Sequence, residues 1–252
     1  MRRFPGLLLP LGLVLLTWPA VPAAEPDEQA KVIARIKDMG GAVEYNTDDP
    51  KRPVLVGVTL TGRKVNDFSL SVLKDLPKLK QLNLSKSKVS DDGLEQVAAL
   101  ADLEVLNLAN TTIGDAGIER LKGLRRLEVV HLDATEVSNK SMEHIKKWDR
   151  LRTLTLGDTA IDDKGTAGLK ALTRLQVLDL RGLDVGDDSL AHVRRLFTLQ
   201  KLYLNGTKVT DAGLDHLKDL DRLQELYLNV TKVTESGARK LQKSLPKTKI
   251  VR

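Results

Sequence analysis

From Leu55 onward, aliphatic residues recur at fixed intervals, and so do the polar positions between them. Aligned on a period of 24, the chain gives eight units beginning at Leu55, Leu79, Leu103, Leu127, Leu151, Leu175, Leu199 and Leu223. The first and sixth positions are leucine in every unit, the fourth is leucine or valine, and the eleventh is valine or isoleucine. No insertion or deletion breaks the register. The L-x-x-L-x-L opening ends in an alternation of period two, which predicts a short strand with one buried face. The second half of a unit, such as Asp211 to Leu217, places apolar residues at helical spacing behind Thr210, a residue suited to capping a helix. Each unit therefore reads as strand, turn, short helix, turn. A single unit cannot bury both of its apolar edges, so neighbours must stack.

The phrase T-x-[VI]-[TS]-D-x-G-L, written from Thr207 as TKVTDAGL and from Thr111 as TTIGDAGI with glycine at the fourth place, carries a resemblance. The repeat resembles the leucine-rich repeat superfamily over Leu55 to Leu245. The phrase is similar to the cysteine-containing subclass, with threonine in the cysteine place, and to 24-residue repeats of exported planctomycete and other bacterial proteins. The resemblance implies an α/β fold: a right-handed solenoid in a horseshoe arc, with parallel strands on the concave face and short helices on the convex one. It also implies protein–protein binding. Spacing supports the arc independently, since strands pack about 4.8 Å apart while helices need about 8–10 Å.

Outside the repeats the pattern changes. Residues 25–54 read as an N-terminal cap: a helix over Pro26 to Met39 ended by Gly40-Gly41, a strand over Ala42 to Tyr45, then a loop. Repeats fill 55–246, and 247–252 form a capping strand with basic ends. Residues 1–23 read as a signal peptide, with Arg2 and Arg3 before an apolar run from Leu7 to Leu16 and small residues around Val21-Pro22-Ala23. That run is too short for the roughly 20 residues of a membrane span. Export to the periplasm or the exterior is the expectation, with no membrane span left after cleavage.

Composition narrows the function further. Losing residues 1–23 lowers the formal charge from +6 to +4, with signs interspersed and no block of like charge, which speaks against a nucleic-acid partner. The chain has no cysteine and only 3% aromatic residues, so stability must come from an aliphatic core. The aspartate column, Asp67, Asp91, Asp115, Asp163, Asp187 and Asp211, falls in the first helical turn, where carboxylates meet the positive end of the helix dipole. Its members lie a whole repeat apart, too far to share a calcium ion. His192 and His216 lack the further ligands that zinc requires. No metal and no cofactor are expected.

The strand positions that point away from the core vary from unit to unit, and specificity belongs there. His131 and Asp133 point the same way from one strand, as alternation requires; they form a polar patch better suited to binding than to catalysis, with no G-x-S-x-G elbow in the chain. Toward the C-terminus the same columns carry Asp179, Arg181, Tyr203, Asn205, Tyr227 and Asn229. Tyrosine and arginine are enriched at interface hot spots. The sequence thus points to an exported, monomeric, non-catalytic scaffold that binds a protein or peptide partner through its concave face. The alternatives are a glycan or cell-wall saccharide module using the same tyrosines, and a structural envelope protein acting by self-association.

Overall fold

The computed structural model describes residues 26–46 and 54–252. The signal-peptide reading of 1–23, and the loop before the first repeat, lie outside the described residues. Helix α1 (Pro26–Asp38) leads into ten strands: β1 (Ala42–Asn46), β2 (Val54–Thr59), β3 (Gln81–Asn83), β4 (Val105–Asn107), β5 (Val129–His131), β6 (Thr153–Thr155), β7 (Val177–Asp179), β8 (Lys201–Tyr203), β9 (Glu225–Tyr227) and β10 (Lys249–Val251). They form one open sheet in sequence order. β1 pairs antiparallel with β2 through a bulge at Glu44/Tyr45, and every later pair is parallel. Equivalent repeat positions face each other, as in Leu82 with Leu106 and Tyr203 with Tyr227. The result is an α/β solenoid.

The core is a continuous aliphatic column. The leucines at the first and sixth positions of every unit are buried, and Val32 and Ile36 of α1 join them at the N-terminal end. Trp148 fills a place where six other units carry leucine and is completely enclosed. Opposite the strands lie short helices, among them α2 (Leu94–Ala98), α3 (Asp115–Arg120), α4 (Met142–Ile145), α5 (Asp163–Thr166), α6 (Asp187–Val193), α7 (Asp211–Leu214) and α8 (Glu235–Ser244). The first unit instead forms a 3-10 helix over Asp67–Asp75. Segments this short owe their form to packing against neighbours rather than to intrinsic propensity.

Two polar columns hold the turns. At the eighth position every unit has a positive φ, from 51° at Ala134 to 88° at Gly62, although only three of the eight residues are glycine. That bend lets the parallel ladder run past the strand: Asn110 N–H donates to Asp133 O (2.8 Å) and Gly206 N–H to Asn229 O (2.9 Å). One residue later the threonine column bonds its own turn, with the Thr111, Thr135 and Thr207 hydroxyls donating to carbonyls three residues back at 2.6, 2.6 and 2.7 Å.

Beside its place in the first helical turn, as at Asp115, Asp163, Asp187 and Asp211, the aspartate column has a second role. Each carboxylate reaches into the following repeat. Ser90 donates its N–H to Asp67 Oδ1 (2.8 Å) and its hydroxyl to Oδ2 (2.7 Å), and Thr210 does the same to Asp187 (2.8 and 2.7 Å). Asp91, Asp115, Asp163 and Asp211 likewise accept from the N–H of Gly114, Ser138, Gly186 and Thr234. The carboxylate also sets the residue three places beyond that donor. At Gly93, Gly117, Gly213 and Gly237 a Cβ would overlap the preceding carboxylate. Where serine replaces this glycine, at Ser141 and Ser189, the hydroxyl becomes a further donor to Asp115 and Asp163.

One rung is inverted. Asn139 stands in the aspartate place, and its partner is Asp162 rather than serine, threonine or glycine. Asp162 N–H donates to Asn139 Oδ1 (3.0 Å), and Asn139 Nδ2 donates to Asp162 Oδ1 (2.8 Å). The side-chain donor and acceptor have changed sides while the backbone N–H still donates to the earlier repeat, and the staple survives.

Candidate functional site

The concave face divides into two patches. In the middle, His131, Asp133 and Thr155 converge from neighbouring strands. Thr155 is buried; its hydroxyl donates to Asp133 Oδ2, whose other oxygen accepts from Gly157 N–H (3.2 Å). His131 Nδ1 lies 3.1 Å from the same hydroxyl oxygen. With the hydroxyl proton committed to Asp133, that oxygen accepts from Nδ1–H, and Nε2 is left as an acceptor. Burial pushes the His131 pKa below its usual value, against the opposing pull of Asp133 and Asp179, so the ring is neutral at pH 7. The order of groups is carboxylate, hydroxyl, imidazole. A hydrolase triad needs the imidazole in the middle, so this network orients His131 and activates no nucleophile. His131 also lines a cleft of about 180 Å³ with Glu44, Thr59, Asn83 and Asn107. Asn83 and Asn107 use their Oδ1 atoms on the backbone N–H groups of Ser85 and Ala109, two residues on (both 3.0 Å), which leaves their Nδ2 atoms as donors.

The C-terminal patch is aromatic and charged. Alternation puts Tyr203 and Tyr227 side by side on β8 and β9, with ring centroids 4.7 Å apart and planes within 9°. The guanidinium of Arg181 sits over the other face of Tyr203, 5.7 Å from its centroid. Arg181 is fixed in turn by Asp179, which takes its Nε–H at 2.7 Å, a second guanidinium N–H, and the Arg181 backbone N–H at 3.0 Å. Asp179 is 1% exposed, and its charge is balanced by this fork. The Asp179 hydrogen bond raises the Arg181 pKa, against the effect of burial.

A second row supports the stack from the third repeat position. Tyr227 donates its hydroxyl to Glu225 Oε2 (2.6 Å), and Lys201 pairs with Glu225 Oε1 (2.6 Å). Hydrogen bonds from Lys201, then Tyr227, hold the Glu225 carboxyl below its ordinary range. The Lys201–Glu225 tie runs straight across paired positions of β8 and β9, and the Tyr227–Glu225 tie runs along β9. Asn205 accepts from Asn229 N–H at 3.0 Å, while the Asn229 side chain stays exposed. The eight residues singled out from the sequence therefore form two clusters: His131 with Asp133, and Asp179 with Arg181, Tyr203 and Tyr227 above the Asn205–Asn229 turn. Among the described residues no group of three or more His, Cys, Asp or Glu side chains is arranged to hold a metal ion, and no helix is long and apolar enough to cross a membrane.

Comparison with known proteins follows the architecture. A family model described as Leucine Rich repeat matches residues 75–98 and 100–122. No curated protein sequence matches. Among solved structures, an internalin C2 from Listeria monocytogenes superposes with a TM-score of 0.65 at 19% identity, covering 87% of this chain and 92% of that one. An internalin F from the same organism gives 0.58 at 22% identity over 72% of this chain; the match spans 56% of the internalin's length. A plant peptide hormone receptor, RGFR1, solved in complex with RGF2, gives 0.51 at 17% identity, covering 78% of this chain and 35% of the receptor. Identities this low speak to the fold alone. With the 24-residue register, the parallel ladder and the turn columns, they show one fold, a solenoid of the leucine-rich repeat kind, to whose family model two of its repeats are similar.

Proposed function

We propose that the protein is an exported, non-catalytic scaffold that recognises a protein or peptide partner through the C-terminal half of its concave face. The observation that carries this reading is the Arg181–Tyr203–Tyr227 stack. Its side chains are locked by Asp179, Glu225 and Lys201 before any partner arrives. Ordering a rotamer-rich side chain on binding costs about 0.5–1.5 kcal/mol, and a pre-built stack avoids much of that cost. Arginine and tyrosine in such an arrangement are typical binding anchors. The plant receptor among the structural neighbours is a peptide hormone receptor in complex with its ligand, and it supports the same use of the fold.

The stack also weighs against the saccharide alternative. Sugars bind aromatic residues face-on, and both faces of Tyr203 are already occupied, by Arg181 and by Tyr227. Ring edges and the Tyr203 hydroxyl remain for a partner's backbone and side chains. A pull-down from envelope extract tests the proposal, with the native protein beside a Tyr203→Ser/Tyr227→Ser variant of matched thermal midpoint. A protein retained by the native bait and lost by the variant supports it. Equal retention by both removes the site from this face.

A further inference from the structure

The helical side carries a second surface that the concave reading leaves unused. At the twentieth repeat position, near the end of each helical segment, successive units place Lys122, Lys146, Lys170, Arg194 and Lys218. One cation per helix end is what the dipole favours. Repeats five to seven go beyond that. Lys122 and Lys146 pair with Glu119 and Glu143, but among the described residues Lys170, Arg194, Arg195 and Lys218 have no ion pair, and all four are exposed. Arg195 doubles the charge of its unit. Next to it Phe197 is 56% exposed, at a position where no other unit has an aromatic residue.

These residues border two clefts. One, of about 490 Å³, is lined by Lys170, Ala191, His192, Arg194 and Arg195. The other, of about 480 Å³, lies across the same two arginines and reaches Phe197, His216 and Lys218. Two acids line the second cleft: Asp215, tied to Lys240 at 2.9 Å, and Asp219. Two arginines shared between adjoining clefts can each present a planar fork to a carboxylate. Phe197 supplies an apolar contact at the rim of the charge.

We infer that this helical-side surface docks an acidic protein segment that carries Asp or Glu around an apolar anchor, with Arg194 and Arg195 taking the carboxylates and Phe197 the anchor. Arginine and phenylalanine are enriched in interface cores, and the unpaired charge matches an acidic partner. A simple polyanion would leave Phe197 without a role. The surface lies on the opposite side of the solenoid from the concave stack, so it stands or falls independently of the function proposed above.

The test is fluorescence anisotropy with a labelled peptide of Glu-Glu-Leu triplets, beside a Glu-Glu-Ser peptide of equal charge, polyphosphate and anionic phospholipid vesicles. The expected result is tighter binding of the leucine peptide. Arg194→Glu/Arg195→Glu should weaken it at least about tenfold. Phe197→Ser should abolish the preference for leucine over serine, and Tyr203→Ser/Tyr227→Ser should change neither. All three sets of substitutions are at exposed or half-exposed side chains, and matched thermal midpoints confirm folding. Equal binding of both peptides, or no loss in the arginine variant, overturns the inference. So does binding of polyphosphate or vesicles with no binding of the leucine peptide.

Discussion

The turn layer where the helices begin and the concave sheet face are cut from the same repeats, yet they obey opposite rules. In the turn layer a carboxylate or its amide equivalent meets the next repeat's N–H at every rung from Asp67 to Asp211. On the concave face the fifth position runs through Thr59, Asn83, Asn107, His131, Thr155, Asp179, Tyr203 and Tyr227, with five residue types in eight units. The lesson is a division of labour along one repeat. Positions that bond a backbone N–H present in every following repeat are held constant by that fixed partner, while strand positions that meet only a neighbouring side chain can vary together with it and can be given to a partner.

The strongest way to break that comparison is acid, because it reaches Asp115, Asp162 and Asp211 together. Although burial pushes the Asp115 pKa up, hydrogen bonds from Ser138 and Ser141 hold it below its ordinary value. Asp162 and Asp211 are lowered chiefly by Asn139 and Thr234. Carboxyls lowered in the folded state stabilise it above the unfolded value of about 3.9, and that contribution is lost as pH falls through the folded values. Thermal midpoints should therefore begin to fall as pH drops through about 6.5, where His131 takes its proton more readily in the unfolded chain, and fall further below about pH 4 as these carboxyls protonate. Asp115→Ala, which strands the donors of Ser138 and Ser141, should cost about 3 kcal/mol in chemical denaturation at pH 7.

The inverted rung allows a sharper test. Asn139→Asp sets two carboxylates against each other and should cost about 2 kcal/mol. Adding Asp162→Ser rebuilds the ordinary rung and should recover most of the loss, a coupling that a double-mutant cycle measures directly. If the two effects simply add, the staple reading fails. Smaller again is Gly117→Ala, expected to cost about 1–2 kcal/mol because the methyl overlaps Asp91. Gly123→Ala, with open space around it, should lie within about 0.5 kcal/mol of native. The smallest effect has the opposite sign: Val230 holds φ at 58° with its side chain 86% exposed, and Val230→Gly should stabilise by about 0.5–1 kcal/mol.

The fold was legible because leucine at the first, fourth and sixth positions encodes a buried strand face wherever it occurs, and its register has no gaps. The parallel order of β2 to β10 and the threonine bonds follow from that periodicity. What the pattern hid were contacts between repeats. Asp67 reads as a residue of its own helix until Ser90 and Gly93 are seen packed against it. The eighth position resisted reading because Lys86, Ala134 and Val230 give no sign of a left-handed backbone. For the candidate site, alternation placed Tyr203 beside Tyr227, but the lateral ties from Asp133 to Thr155 and from Lys201 to Glu225 depend on rotamers that spacing does not specify. The basic helical surface had a visible signal, Phe197 in an otherwise non-aromatic column, which a reading centred on the strands passed over.

The staple also has a direction. At every rung but the Asn139–Asp162 one the carboxylate belongs to the earlier repeat and the donors to the later one, and Glu235, last in the column, pairs instead with Arg239 of its own helix at 2.8 Å. A chain emerging from the ribosome N-terminus first therefore ends, after each unit that carries an aspartate in this column, in a carboxylate still waiting for its donors. Water solvates such a group well, so each new unit meets a ready acceptor on a finished surface. A gene segment encoding one unit could be copied in tandem, and the copy would find its docking site already in place.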